Sequence, residues 1–505
     1  MNDLRLYLLI ALALLLAACA PANSAAQLAI AIQVDGQTRE LSIPAGSKVR
    51  DALEAAGVEL GELDRVEPPA YTELADGDRV RVIRVTEEFE TEQVAIPFVS
   101  RTLPNEALPV GEQRLIQNGA NGEQEITYRL VFEDGELVSR TQVAAMVHTD
   151  PVEEIIMIGA QSPFSSVTIP GRLAYISAGN AWVLEGASGS RRAVAITGDL
   201  DGRVFEVSPD GRWLLYTRSS RAEGEVNELW VASLDEGDQT LIDLGVGNIV
   251  HFASWVPGVG NQVAFSTVDP TDNPPGWQAN NDLFTLTFTD SGAVATPELS
   301  LTPRQDGFYA WWGTSYAWSP QGDQLAFSRP DGVGTVDFST DALDVWFTLP
   351  AYQTGSDWAW IPGLSWLDDQ SFYYVRYAVN PPSFSLYLAG VQGGELIAAD
   401  VGMFAHPQAA PDGSQVAYLR AFIPSQSDTS AYQLMVAAPS GVSIPLFPPE
   451  GAVGLQPQRV AWSPSSEQGP LIAFVYQGDL WVVNVLSGEA QQITADGLVG
   501  AISWR

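Results

Sequence analysis

The sequence predicts a mainly β protein of 505 residues: a small β-grasp module, an extended β module, then a seven-bladed β-propeller. Three observations predict it. An apolar triplet carrying an aromatic residue returns seven times between residues 173 and 474. Its spacing of roughly 40 to 60 residues suits blades of four strands. Near the N-terminus, an Asp35-Gly36 turn joins two alternating runs, and a helical pattern follows. Between these regions the chain alternates like strands, is punctuated by glycine and has almost no continuous apolar core.

The first element is an export signal. Leu6 to Ala18 is an apolar run preceded by Arg5, too short to span a bilayer, and Leu16-Ala17-Ala18 leads into Cys19, the chain's one cysteine. A single Cys excludes a disulfide or a thiolate metal set within the chain. The stretch resembles the lipobox of bacterial lipoproteins. That resemblance implies a signal peptide over residues 1–18 and a Cys19 carrying diacylglycerol and an acyl chain such as palmitate. The rest of the chain would then work outside the cytoplasm, lipid-anchored to the bacterial cell membrane. Residues 19–27 would be the lipidated polar tether, and no later segment is long and apolar enough for a transmembrane helix.

Net charge is −36, and Lys48 is the only lysine. Such a surface repels phosphate backbones and anionic headgroups, which excludes nucleic acid as a partner.

Residues 28–86 form the β-grasp module. Leu28 to Val34 and Arg39 to Ile43 read as a hairpin, and Arg79 to Val85 as a further strand. Ser47 is placed to cap a helix from Lys48 to Ala56, with Val49, Ala52, Leu53 and Ala56 on one face and Gly57 as its stop. Together with the turn Leu74-Ala75-Asp76-Gly77-Asp78, this looks like the ubiquitin-like domain of unknown function that precedes G-five domains in cell-wall proteins such as resuscitation-promoting factors.

Residues 87–161 carry Ile96-Pro97-Phe98, Leu108-Pro109-Val110-Gly111-Glu112, Gln117 to Gly122, Thr127-Tyr128, Asp134-Gly135 and Pro151-Val152 through Ile158-Gly159. Tyr128, Leu130 and Phe132 alternate on one strand face. The segment resembles the G-five domain, whose five glycines would here be Gly111, Gly119, Gly122, Gly135 and Gly159. The resemblance implies an extended β module of bacterial surface proteins that contacts N-acetylglucosamine polymers. Some members use zinc. His148, Asp150, Glu153 and Glu154 could offer ligands, but without a second nearby His they read as a solvated acidic turn, so no metal is assigned.

Residues 162–171 read as a linker, and residues 172–505 as the propeller. The triplets are Leu173-Ala174-Tyr175, Leu214-Leu215-Tyr216, Val263-Ala264-Phe265, Leu325-Ala326-Phe327, Phe372-Tyr373-Tyr374, Val416-Ala417-Tyr418 and Ile472-Ala473-Phe474. Most follow a turn such as Ser208-Pro209-Asp210-Gly211 or Ser319-Pro320-Gln321-Gly322, often preceded by Trp, as at Trp255, Trp318, Trp366 and Trp462. The unit resembles the TolB-like repeat. The first copy lacks an innermost strand, and Leu498 to Trp504 is an innermost strand with nothing after it, so the two fragments should complete one blade. In blade four, Val336-Asp337-Phe338 and Val345-Trp346-Phe347 compete for the third strand.

Strand alternation puts the long insertions on one face: Asp269 to Asn281, Pro303 to Thr314, Pro350 to Pro362, Asn380 to Phe384 and Ala421 to Ala431. They carry Trp277, Tyr309, Trp311, Trp312, Trp358 and Trp360, with Arg304, Asp306 and Asp357 beside them. Aromatic faces on loops suit a sugar, peptide or protein ligand. The other reading folds these rings back as local cores.

No Gly-x-Ser-x-Gly elbow, His-Glu-x-x-His or phosphate loop occurs, so no catalytic residue and no cofactor is assigned. His251 and His406 fall near the starts of innermost strands, where they could border the central channel. The functional expectation is a non-enzymatic binding lipoprotein: a stalk touching peptidoglycan and a propeller holding a ligand or protein partner. A wall-glycan or wall-peptide enzyme using the loop face, and an envelope scaffold or sensor, are the alternatives.

Overall fold

The computed structural model describes residues 26–105, 108, 111–159, 164–305, 309–352, 358–390, 393–466 and 469–505. The expected leader, Cys19, most of the tether, Asp306 and Asp357 lie outside these residues. The chain divides into two compact units, Met1–Leu103 with Gln113–Met157, and Pro104–Glu112 with Ile158–Arg505.

The first unit begins with β1 (Gln27–Val34), β2 (Gln37–Pro44), α1 (Val49–Ala55), β3 (Arg65–Glu67) and β4 (Arg79–Ile83). The sheet order is β2-β1-β4-β3, with β1 and β4 parallel, which is the β-grasp arrangement. Asp35 and Gly36 both take positive φ, so the two-residue turn matches the twist of its strands. Alternate residues Ile30, Ile32 and Val34 meet Val49, Ala52 and Leu53 of α1 in one core. Ser47 does not cap this helix. Its hydroxyl donates to the Pro44 carbonyl, and the Asp51 carboxylate instead reaches back to the Lys48 N–H at 2.8 Å.

Six strands follow: β5 (Val85–Ile96), β6 (Ser100–Asn105), β7 (Gln113–Gln117), β8 (Gly122–Glu133), β9 (Glu136–Thr149) and β10 (Glu154–Gly159). They form two separate sheets, β5-β8-β9 and β6-β10-β7. In the first of these sheets Gly122 and Ile126 are the only buried residues among those described. At Gly122 any side chain is excluded, because a Cβ would lie 2.4 Å from the Thr149 carbonyl oxygen.

Arg84 ties the β-grasp sheet to β5. Its guanidinium binds Asp35 at 2.8 Å, Asp64 at 2.5 Å and the Glu59 carbonyl at 2.9 Å. Its backbone N–H donates to Asp134, while Asp64 also accepts from the Gly61 and Val85 N–H groups. Burial alone would raise the Asp64 carboxyl, but these hydrogen bonds hold it below the usual range.

The second unit contains seven radial sheets, a β-propeller. Blade one takes its innermost strand from the far end of the sequence. Val499–Trp504 pairs antiparallel with Thr168–Ser177, with Leu173 opposite Trp504 and Ala174 opposite Ser503, and Asn180–Ala195 lies outside. The Arg172 N–H donates to the Arg505 carbonyl at 2.6 Å, and the Trp504 indole N–H donates to the Pro170 carbonyl at 2.6 Å. Thr168 and Ile169 already pair with Ala187 and Gly186, so the strand begins inside the stretch expected to be linker.

The innermost strands of blades two to seven are Leu200–Val207, Ala253–Trp255, Ser315–Trp318, Leu364–Asp368, Gln408–Ala409 and Ala461–Trp462. The aromatic triplets form the second strands and are buried between neighbouring blades. In blade four the third strand is Gly332–Asp337 and the fourth Ala342–Thr348, which resolves the competition between the two runs. The turn serine is buried and does the work of a cap. Ser208 bonds Asp210 at 2.6 Å and accepts from the Trp213 N–H at 2.9 Å; Ser319 does the same with Asp323 and Gln324.

The tryptophans before the turns join blades. Trp255 donates its indole N–H to the Glu206 carbonyl, Trp366 to Ala317 and Trp462 to Gln408, at 3.0, 2.7 and 2.8 Å. Each bond lands on the innermost strand of the preceding blade. The Trp318 indole N–H is buried without a partner.

Candidate functional site

The propeller's insertion face is built over blades three to six. Asp269 to Asn281 forms a small hairpin, Val268–Pro270 with Trp277–Ala279. Residues Ala310–Trp312 form a 3-10 turn packed against that hairpin. Asn281 locks the two together. It is buried with φ near +51°, donates to the Arg304 and Ala310 carbonyls at 2.9 and 2.7 Å, and accepts from Thr314 at 2.7 Å. Asp282 beside it accepts from Ser266 and from both the N–H and the hydroxyl of Thr267. Burial raises its carboxyl, against these hydrogen bonds.

Trp277, Tyr309, Trp311 and Trp312 are half-buried. Trp277 meets the His251 ring edge-to-face at 4.6 Å. Burial, with the Arg203 charge adding to it, lowers the His251 pKa to about 4, so the ring is neutral at pH 7. Its Nε2 is buried without a hydrogen bond. Gly313 makes room for it: a Cβ there would lie 2.3 Å from Nε2, and φ is +97°. We expect Gly313→Ala to displace either the imidazole or the 3-10 turn, with a loss of about 2 kcal/mol of stability in chemical denaturation.

Arg304 pairs with Asp341 at 3.3 Å. Trp358 is 36% exposed, the most open of the tryptophans expected at the rim. Trp360 requires a correction. It is 3% exposed, its indole donates to the Met403 carbonyl at 2.9 Å, and its ring packs edge-to-face on Phe384. It therefore serves as wall between blades five and six and offers no stacking face. Asn380 to Phe384 also differs from a long insertion. Val379 pairs with Pro382, so only Asn380 and Pro381 form the turn.

Sequence reasoning missed an open region at blades six, seven and one. Phe422 and Ile423 of the blade-six insertion and Val453 of the following loop are half or more exposed. A cavity of about 290 Å³ is lined by Val453, Gln456, Gln458, Tyr476 and Gly500. Gln458 shapes it, donating to the Val475 carbonyl at 2.7 Å and accepting from the Val475 N–H at 2.6 Å. The exposed pair Phe422-Ile423 was the available signal, standing inside a loop where apolar residues have no strand period.

In the first unit the open surface is the β5-β8-β9 sheet. Phe89, Leu137, Val138, Val143, Met146 and Val147 are about half exposed or more. The Arg140 guanidinium lies 3.6 Å from the Tyr128 ring centroid. Of the residues weighed as metal ligands, Glu153 pairs with Arg101 and Glu154 accepts from Ser100. Among the described residues no group of three His, Cys, Asp or Glu side chains is placed to hold a metal ion.

Residues 87–161 match the G5 domain family. Residues 30–70 match the G5-linked-Ubiquitin-like domain. The resuscitation-promoting factor RpfB of Mycolicibacterium smegmatis is 28% identical over 150 residues, 29% of this chain and 41% of the relative. The resuscitation-promoting factor Rpf2 of Corynebacterium glutamicum is 24% identical over 160 residues, 32% of this chain and 42% of that protein. The chain thus spans about two fifths of the length of these curated relatives. The solved IgA1 protease G5 domain is 26% identical and covers 16% of this chain and 94% of its own, with a TM-score of 0.13. TolB from Acinetobacter baumannii is 10% identical and covers 84% of this chain and all of its own, with a TM-score of 0.38.

Proposed function

We propose that this chain is an extracytoplasmic binding lipoprotein, held to the bacterial membrane through Cys19, whose G5 sheet lies against cell-wall glycan. In this reading the propeller presents a ligand or partner site on its insertion face. The observation that carries the proposal is the bare β5-β8-β9 sheet inside a G5 match. A sheet with so little buried surface is a poor source of stability but a long, partly apolar platform. The C–H faces of N-acetylated sugars suit the side of the sheet that carries Phe89 and Met146, where Arg129, the cross-strand partner of Phe89, supplies a polar contact.

Co-sedimentation of the purified chain with insoluble peptidoglycan tests the binding step. Wild type should pellet and be released by soluble N-acetylglucosamine oligomers. A Phe89→Ser/Met146→Ser double variant should stay in the supernatant with an unchanged unfolding profile. Equal pelleting of both proteins would defeat the sheet as the contact. For the anchor, Cys19→Ser should move the protein from the membrane fraction to the medium, and membrane retention of that variant would defeat lipidation.

A further inference from the structure

The cavity of about 290 Å³ at blades six, seven and one opens on the insertion face. Its walls are the loop between blades six and seven and the turn between the second and third strands of blade seven, and Gly500 of the closing strand lines it as well. The loop wall is pinned at both ends. Leu455 exchanges backbone hydrogen bonds with Tyr432 of blade six at 2.7 and 2.9 Å, and Gln458 exchanges two with Val475 of blade seven. Gln456 and Pro457 stand between these anchors. The turn wall is equally fixed: Gln477 and Gly478 both take positive φ, and a Cβ on Gly478 would lie 2.4 Å from the Gly497 carbonyl oxygen. The Tyr476 ring is held edge-on by Phe447 and Trp481, with centroids 4.8 and 5.7 Å away. A hollow built this way needs little ordering when a ligand arrives.

The lining selects the ligand. It holds no charged side chain, in a chain of net charge −36. Asp479, next to Gly478, is taken up by the Gly497 N–H and the Gln492 amide at 2.9 and 3.0 Å. An ionic ligand would lose water there and meet no counter-charge. Gln456 and Gln477 are exposed, and among the described residues neither side-chain amide has a hydrogen bond. Each amide offers a donor and an acceptor, which is what a hydroxyl group requires. Tyr476 adds an aromatic wall suited to the C–H groups of a sugar ring. The rim is apolar: Val453 is exposed, and Phe422 packs over Gly454, where a Cβ would come within 2.5 Å of its ring. The volume equals that of about ten water molecules at ~30 Å³ each, room for one sugar ring.

We propose that this cavity binds a single uncharged pyranose, with its hydroxyls on Gln456 and Gln477 and an N-acetyl methyl on the Val453–Phe422 rim. The inference rests on the reading of the insertion face as a ligand surface and names the ligand; the G5 sheet takes no part in it. One ring of space admits a free sugar or a chain end and not the interior of a wall strand, so sedimentation with peptidoglycan does not report on it.

Gly500 supplies the decisive variant. A Cβ there would touch only Ile176, at 3.9 Å, and its φ lies outside the left-handed region, so Gly500→Leu narrows the cavity without backbone strain. Saturation-transfer NMR titrations are made on the full chain in the Phe89→Ser/Met146→Ser background, so that a contact of the sheet with sugar, present or absent, leaves them unaffected. N-acetylglucosamine should bind saturably, and glucose, which lacks the methyl group, about threefold or more weaker. N-acetylmuramic acid, whose carboxylate finds no cation, should be weaker by about fivefold or more. Gly500→Leu should abolish transfer from N-acetylglucosamine with an unchanged unfolding midpoint. Gln456→Ala/Gln477→Gly, in which glycine suits the positive φ of residue 477, should weaken binding about fivefold or more. The proposal is overturned if N-acetylglucosamine does not bind, if Gly500→Leu binds it as the parent does, or if N-acetylmuramic acid binds as tightly. Tighter binding of the neutral N-acetylalanine methylamide would overturn it in favour of a peptide. Should Gly500→Leu lower the midpoint, the glutamine double variant decides, and an unchanged affinity there overturns the proposal.

Discussion

Removing residues 499–505 should collapse the cooperative unfolding of the propeller, because this segment closes the ring. The deletion strips four pairings from Thr168–Ser177 and takes away Trp504, which is 4% exposed. It also removes the Ser503 hydroxyl that accepts the Val207 N–H of blade two at 2.9 Å. A buried tryptophan contributes about 3–5 kcal/mol and each backbone bond about 1 kcal/mol. The total loss is on the order of 8 kcal/mol, comparable to the whole stability of an ordinary domain. The inner edge of Thr168–Ser177 would also be left unpaired, inviting aggregation. Calorimetry should show the transition lowered by about 10 °C or more, or lost. An unchanged midpoint would mean that this strand is decorative.

The second large effect is a loss of stability between pH 6.5 and 4, carried by His251 and His406. Each has a folded pKa near 4, against 6.5 for an ordinary histidine. Above pH 6.5 both states are neutral and the full stability is present. As pH falls the unfolded chain takes up protons that the buried rings refuse, so stability drains away until the folded pKa is reached. Allowing for the solvent that reaches both rings, each contributes about 2 kcal/mol of loss. The Arg203 charge at His251 and the Arg459 charge at His406 both oppose protonation. Glu206 and Asp282 act oppositely, since burial raises their carboxyls and protonation relieves them. A His251→Gln/His406→Gln variant therefore isolates the histidine contribution. Its urea midpoint should be nearly flat from pH 7 to 5 while wild type declines. Parallel curves would remove the histidines from the account.

Much of the propeller was legible in the sequence because its repeat is written in turn chemistry. In blades two and four a buried serine, a short polar side chain and a glycine stand at similar offsets where strand one turns into strand two, at Ser208 to Gly211 and Ser319 to Gly322. The ring closure was legible too, since Leu498 to Trp504 repeats an innermost strand. The helix cap was misread because Ser47 and Asp51 both suit that end, and only the backbone direction gives the role to Asp51. Trp358 and Trp360 sit two residues apart in one loop, yet one is open and the other seals a wall. No local pattern separates them, because burial there is decided by Phe384 and Met403, both distant in sequence.

The closed ring underlies every assignment made to the insertion face. Ala174 and Ser503 are direct cross-strand partners, at the Cα separation that a disulfide can bridge. In a Cys19→Ser background, the Ala174→Cys/Ser503→Cys protein holds two thiols and no other. Mild oxidation should form an intramolecular disulfide in nearly all molecules, seen by mass spectrometry as a linked peptide pair, with a raised unfolding midpoint. Thiols that remain free, or that join only between molecules, would contradict a ring sealed by its last strand.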